Sequence, residues 1–74
     1  IGEGQDFCNL GNAFTDLGEG RKAIEFHEKA LIIDLEIGDR RGEGLDLGNL
    51  GNAYAAMGET DKAIEYYEKA ALWE

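Results

Sequence analysis

The stretch Asn9-Leu10-Gly11-Asn12-Ala13 occurs a second time, unchanged, as Asn49-Leu50-Gly51-Asn52-Ala53, 40 positions further along the chain. The copy extends in both directions: when residues 1–34 are aligned with residues 41–74, 18 of the 34 pairs are identical. A period of this length is typical of solenoids, in which each unit buries its apolar face by stacking on a neighbour. The sequence therefore predicts two stacked copies of one supersecondary unit.

Each copy begins with a helical pattern of apolar residues. Phe7, Leu10, Phe14 and Leu17 recur at spacings of three and four, which indicates one apolar face of a helix. A glycine follows each pattern, Gly18 in the first copy, and glycine is favoured where a helix ends in the left-handed conformation. The corresponding residues of the second copy are Leu47, Leu50, Tyr54, Met57 and Gly58.

A second helical pattern completes each copy, and Gly38-Asp39 between the copies supplies a helix stop and a candidate N-cap. We predict helices near 3–17, 20–37, 40–57 and 60–74. The connections are short, so neighbouring helices must be antiparallel. The predicted fold is all-α, with two helix-turn-helix hairpins forming one continuous domain of two repeats, 1–40 and 41–74.

Glycine is unusually frequent in the third predicted helix. Gly42, Gly44, Gly48 and Gly51 each cost about 1 kcal/mol relative to alanine inside a helix. We expect compensation from a close approach to neighbouring helices, above all at Gly51 and its equivalent Gly11.

The composition limits size and chemistry. The chain has 74 residues and one cysteine, so it forms one small domain without an intramolecular disulfide or a cysteine-rich metal site. We expect no metal and no cofactor, and a reducing, cytoplasmic location. The chain begins without methionine, and we expect it to be part of a longer protein.

The charge of the chain restricts its partners. The net charge is −9, from 16 acidic and 7 basic residues, which argues against nucleic acids and anionic membranes. No apolar run approaches the roughly 18 residues of a membrane span. A basic partner would be attracted. The alternative is that the surplus glutamates only keep the helix surfaces soluble.

The pattern resembles tetratricopeptide repeats, and the resemblance covers essentially the whole chain. The family pattern is met by Phe7, Leu10-Gly11 and Phe14, and again in the copy, although tryptophan is missing from its first position. The 40-residue period and the Leu-Gly-Asn triplets resemble the Leu-Gly-Asn subclass of these repeats. The resemblance implies a short right-handed α-solenoid that acts as a protein-interaction scaffold. The later family positions are occupied by Ala23, His27 and Ala30, and by Ala63, Tyr67 and Ala70.

In this family the first helix of each hairpin lines a concave groove that holds an extended peptide. The helical phase supports this placement, because the predicted groove residues lie opposite the apolar stripe. They are Gln5, Cys8, Asn12 and Asp16 in the first helix, and Leu45, Asn52 and Ala56 in the third. We expect the bound protein or peptide to have basic character.

Asn12 and Asn52 are the two candidates of greatest interest in this groove. Each amide carries two donors and an acceptor, which suits the backbone of an extended peptide. In related arrays the matching asparagines do hold the ligand backbone. The alternative is that both amides bond to an adjacent helix and maintain the repeat register.

Nothing in the sequence indicates an enzyme. Cys8 could be a nucleophile, but no histidine, asparagine or aspartate can be argued to act as its catalytic partner, so a small groove-lining thiol is the preferred interpretation. His27 replaces the aromatic residue of the pattern, which favours a packed histidine over a catalytic base. We therefore predict no catalytic residue.

The ends of a two-repeat chain leave apolar surface uncovered. Phe26, Ile33 and Ile37 are predicted to form a flank of the second helix that the following repeat covers, and Tyr66 and Trp73 to form its uncovered counterpart in the fourth. We therefore expect homo-oligomers through the C-terminal face. The alternative function is accordingly a structural, self-assembling repeat unit.

Overall fold

The computed structural model describes residues 3–72, and the side chains from residue 6 onward. It confirms the all-α prediction, since these residues form four helices and no strand. All four helices begin at the predicted residues, but the first, third and fourth each end one or more residues earlier than predicted, and residues 73–74 of the fourth predicted helix lie outside the described range. The helices are α1 (Glu3–Asp16), α2 (Gly20–Ile37), α3 (Arg40–Ala56) and α4 (Thr60–Ala71).

The turns between the helices follow from local chemistry. Gly18, Gly38 and Gly58 all have positive φ, between 72° and 81°, a conformation that side-chain-bearing residues rarely adopt. Asp39 is the N-cap of α3, because its carboxylate accepts a hydrogen bond of 2.9 Å from the Gly42 amide. These contacts make the reversals short, so consecutive helices run antiparallel.

The four helices pack against one another in chain order. α1 packs on α2 and α3 packs on α4, and α3 also packs on α2 and contacts α1. Among the described residues, α2 and α4 make no contact with each other. The first helices of the hairpins, α1 and α3, therefore lie side by side, and we call the surface that they form together the inner face.

In each hairpin, the two helices are in close contact at a glycine of the first helix. A Cβ at Gly51 would lie 2.7 Å from the Tyr67 ring and 3.2 Å from the Ala63 carbonyl oxygen. A Cβ at Gly11 would lie 2.6 Å from the His27 ring. The close approach expected at Gly11 and Gly51 is therefore present, and the neighbour in both cases is chiefly an aromatic or imidazole ring of the partner helix.

Two alanine substitutions in α3 should have opposite effects. Gly48→Ala should raise the free energy of unfolding by up to about 1 kcal/mol, because alanine favours the helix and nothing lies within 4 Å of its Cβ position. Gly51→Ala should lower it by about 1–3 kcal/mol, because the Tyr67 ring must move. Urea unfolding of both variants measures the difference. Equal shifts would contradict the close contact at Gly51.

The aromatic rings pack inside the hairpins rather than between them. Phe26 stacks on Phe7 and Phe14, with ring centroids 6.0 and 5.4 Å apart, and Tyr66 stacks on Tyr54 at 5.3 Å. The prediction that Phe26 and Tyr66 form the flank between repeats is therefore wrong.

The physical reason is helical phase. Phe26 lies three residues after Ala23 and four before Ala30, so it shares the face of these two buried alanines. Ile33 lies on the same face of α2 and is half-buried. Ile37 is exposed, although the following repeat was expected to cover it. Trp73, the other residue of the predicted C-terminal flank, lies outside the described residues.

Candidate functional site

The inner face of α1 and α3 carries both polar and apolar side chains and little positive charge. Asn12 and Asp16, one turn apart on α1, are exposed, and so are Leu45, Asn52 and Ala56 on α3. α1 contains no lysine or arginine, and α3 has them only in its first turn. Five of the predicted groove residues are therefore accessible on the inner helices, while the side chain of Gln5 lies outside the described residues.

Asn52 is held by its own hairpin. The Tyr67 hydroxyl on α4 donates a hydrogen bond to the Asn52 side-chain oxygen. This contact corresponds to the structural alternative predicted for the asparagines. It also orients the amide, because the oxygen faces Tyr67 and the NH₂ group keeps two donors for another acceptor.

Asn12 has different surroundings, although its local sequence is identical. The residue equivalent to Tyr67 in the first hairpin is His27, which is fully buried. Neither nitrogen of His27 has a hydrogen-bond partner within the described part of the chain. Asn12 therefore lacks the hydrogen bond that orients Asn52.

Cys8 lies at the contact between the hairpins. Its thiol donates to Asp46 Oδ1 at 2.9 Å, and its sulfur accepts from Asn49 Nδ2 at 3.8 Å. The side chain is half-buried. Cys8 was expected to line the groove with Asn12, and the structure instead directs its thiol toward α3.

Asp46 is the residue that the sequence interpretation missed. It is 1% exposed, and its Oδ2 atom has no hydrogen-bond partner among the described residues. Asp34 of α2 is also buried, and its carboxyl contributes to the raised pKa of Asp46. A signal was available in the sequence, because Asp46 precedes Leu50 by four residues and so lies on the apolar stripe of α3.

Burial controls the titration of this cluster. Burial, followed by the influence of the Asp34 carboxyl, raises the pKa of Asp46 to about 7 from an ordinary value of 3.8. Burial, followed by the Asp46 hydrogen bond, raises the pKa of the Cys8 thiol to about 12. The thiol therefore stays protonated at neutral pH and is a poor nucleophile.

No group of three or more histidine, cysteine, aspartate or glutamate side chains among residues 6–72 could hold a metal ion. No helix in the described range is long and apolar enough to cross a membrane.

The comparisons with known proteins agree with this architecture. A family model described as tetratricopeptide repeat matches residues 7–71, which span all four helices. Comparison with curated proteins and with solved structures gave no match.

Proposed function

The chain belongs to the tetratricopeptide repeat family, whose members generally mediate contacts between proteins, and we propose that it holds an extended peptide on the inner face of α1 and α3. In this proposal the chain is part of a longer scaffold and contributes two repeats, 1–40 and 41–74, of the 40-residue Leu-Gly-Asn subclass. The observation that carries the proposal is the pair of repeat-equivalent, exposed amides on that face, Asn12 and Asn52.

The two amides suit the backbone of a peptide rather than a particular side chain. An extended peptide presents carbonyl and amide groups along each edge, and a carboxamide can bond to either. The oriented NH₂ group of Asn52 favours a peptide carbonyl. Asn12 has no hydrogen bond like the one that Tyr67 makes to Asn52, so its amide can bond to either a carbonyl or an amide group of the peptide.

The charge distribution favours a peptide with lysine or arginine. Four of the seven basic residues are lysines of α2 and α4 whose ammonium groups lie 4.8–5.7 Å from aromatic ring centroids. These positive charges are therefore placed on the second helices, while the inner face keeps the exposed carboxylate of Asp16. A net charge of −9 adds long-range attraction for a cationic peptide at low salt.

Replacing both asparagines by alanine should weaken peptide binding by about 5- to 150-fold, because two hydrogen bonds worth about 0.5–1.5 kcal/mol each are lost. Fluorescence anisotropy with a labelled pool of extended peptides, each in a lysine-rich and a glutamate-rich form, measures the change. Glu28→Ala/Glu68→Ala is the matched control, since these exposed, repeat-equivalent residues lie on the second helices.

The same variants separate a binding role from a structural one. If the asparagines only maintain register, Asn12→Ala/Asn52→Ala should bind every peptide as the wild type does, and the proposed site would be wrong. Tyr67→Phe removes the Asn52 anchor without touching the inner face. We expect it to lower stability slightly while retaining peptide binding.

Tetratricopeptide repeats are typically non-catalytic scaffold modules. The raised pKa of Cys8 supports the same role for this chain, since the protonated thiol is hydrogen-bonded inside a contact between helices. A single free thiol also fits a reducing compartment, and we place the protein in the cytoplasm on that basis.

A second function, assembly of the repeats with copies of themselves, is favoured by exposed apolar residues at both ends of the layer. Leu10 and Leu17 are 46% and 71% exposed at the α1 end, and Ile64 and Tyr67 are 49% and 40% exposed on α4. Surface of this kind is what a neighbouring repeat covers in a solenoid.

A further inference from the structure

We propose that Asp46 is a positioning residue of the peptide site: in its uncharged form it holds α1 against α3 and keeps Asn12 and Asn52 at the spacing that one bound peptide requires. When the carboxyl releases its proton to solvent, the contact loosens and the peptide binds more weakly. This inference rests on the peptide-binding function proposed above and adds its regulation by pH. Asp46 itself touches no peptide, because it is 1% exposed.

The contact between α1 and α3 includes Asp46. The Cys8 thiol of α1 donates to Asp46 Oδ1 at 2.9 Å, and Asn49 of α3 donates to the same sulfur at 3.8 Å. Both bonds join residues about 40 positions apart, so they link the two hairpins. Among the described residues, the packing of α1 on α3 is the smallest of the contacts between helices. The position of α3 beside α1 therefore depends strongly on this cluster of side chains.

The surroundings of Asp46 favour its uncharged form. Its Oδ2 atom is buried and has no hydrogen-bond partner within the described part of the chain. The titratable groups that act on it are Cys8 from α1, Asp34 from α2 and Asp39 from the turn before α3, and none of them can carry a positive charge. A buried carboxylate without a compensating cation takes up a proton or gains water. Ionisation therefore favours a looser contact that admits water to Oδ2.

The neighbouring carboxylates direct this loosening to the boundary between the hairpins. A Cβ built on Gly42 would lie 2.6 Å from Asp34 Oδ2 and 2.9 Å from Asp39 Oδ2, so both carboxylates lie against the first turn of α3. Asp46 follows Gly42 by one turn of the same helix. A charge on Asp46 thus adds repulsion between α3 and the end of α2, which separates α3 from the first hairpin.

The asparagines lie close enough to this cluster to be moved with it. α1 and α3 both run antiparallel to α2, so they are parallel to each other. Asn12 follows Cys8 by four residues and Asn52 follows Asp46 by six, which is about 6 and 9 Å along the helix axes. A change in the distance between the helices at the cluster is therefore transmitted to both amides. Because one peptide contacts both amides, its affinity depends on their separation.

The carboxyl titrates near neutral pH, which sets the size of the effect. Burial, followed by the influence of Asp34, raises the pKa of Asp46 to about 7, although the thiol of Cys8 acts in the opposite direction by donating to the carboxylate. The uncharged fraction then falls from about nine-tenths at pH 6 to about one-tenth at pH 8. Since only the uncharged form positions both asparagines, the apparent affinity for a peptide should fall about tenfold over this range.

Fluorescence anisotropy at pH 6 and pH 8, at constant ionic strength, measures this change. The probe is the tightest-binding lysine-rich peptide of the pool described above, with blocked termini and without histidine, so that its charge stays constant between the two pH values. We expect the wild type to bind it about tenfold more weakly at pH 8. Charge attraction alone predicts the opposite, because ionisation makes the protein more acidic and attracts a cationic peptide more strongly.

Three variants assign the effect to Asp46. Asp46→Asn should bind at pH 8 as tightly as it does at pH 6, whereas Asp6→Asn, the exposed repeat equivalent, should keep the decrease of the wild type. Asp34→Asn should also keep the decrease but shift its midpoint to lower pH, because it removes a group that raises the pKa of Asp46. His27 is present in all these proteins and cannot cause a difference between them.

Proton uptake provides a second readout that does not require the Asp46 variant to fold. If the peptide binds the uncharged form, binding at pH 8 must be accompanied by uptake of about 0.9 proton per peptide. Titration calorimetry in two buffers of different ionisation enthalpy measures this number for the wild type. Uptake close to zero would contradict the role of Asp46.

The outcomes separate this inference from the function on which it rests. Failure of every peptide to bind at pH 6 would overturn the proposed function, and the inference with it. Binding that is equal at the two pH values, or tighter at pH 8, would overturn the regulation and leave the peptide site intact. A decrease in affinity that only matches the loss of folded protein, measured by circular dichroism, would show that Asp46 acts through global stability and not through the spacing of α1 and α3.

Discussion

Leu50→Ala is expected to remove most of the stability of the protein at room temperature, whereas Leu10→Ala should leave it folded. The two leucines occupy equivalent positions and have the same neighbours in sequence, yet Leu50 is 1% exposed and Leu10 is 46% exposed. Truncating a fully buried leucine costs about 2–5 kcal/mol. This is comparable to the roughly 3–5 kcal/mol that a single core supplies in so small a domain.

Urea unfolding followed by circular dichroism measures both variants against the wild type. Leu10→Ala is the matched control, with an expected loss of about 1 kcal/mol or less because half of its side chain is already in water. Equal losses in the two variants would show that α3 does not pack on α2 as described.

The second large effect is a dependence of stability on pH that arises from Asp46. Its folded-state pKa, about 7, lies above the ordinary 3.8, so between these values the folded protein binds a proton that the unfolded chain does not. The stability contributed by this proton is fully present below pH 3.8 and is lost as the pH rises through 7. With one pH unit worth about 1.4 kcal/mol, the loss is up to about 4 kcal/mol.

Asp46→Asn should remove this dependence, because asparagine resembles the protonated acid. We expect the variant to be more stable than the wild type by about 2–4 kcal/mol at pH 8, and the difference to shrink as the pH falls toward 4. His27 has the opposite effect on stability. Burial lowers its pKa, so as the pH falls the unfolded chain binds a proton at this histidine before the folded protein does, which favours unfolding in acid. Because His27 is present in both proteins, its contribution cancels when the stability of the wild type is subtracted from that of the variant.

Asp6→Asn is the control for Asp46→Asn. Asp6 is the repeat equivalent of Asp46 but is exposed, and surface substitutions usually change stability by less than about 0.5 kcal/mol. Thermal unfolding at pH 5 and pH 8 compares all three proteins. An Asp46→Asn variant that is less stable than the wild type at pH 8 would show that the buried carboxylate is ionised and satisfied.

The sequence by itself determined the fold and the positions of its helices. Spacings of three and four between apolar residues, glycines in the left-handed conformation at Gly18, Gly38 and Gly58, and the Asp39 cap are local features. They act over a few residues, so they can be recognised without knowing what packs on them. The 40-residue repeat then required the second hairpin to follow the first.

Tertiary structure alone decided what each copy of a repeated residue does. Leu10 and Leu50, Asp6 and Asp46, and Asn12 and Asn52 are identical in sequence, but only the second member of each pair is covered by an earlier hairpin or anchored by Tyr67. The burial of Asp46 and the placement of Cys8 against it also depend on residues 38 positions apart. Burial, hydrogen bonding and pKa depend on which residues lie nearby in space, and within the described residues the first hairpin covers one face of α3 while the equivalent face of α1 is exposed.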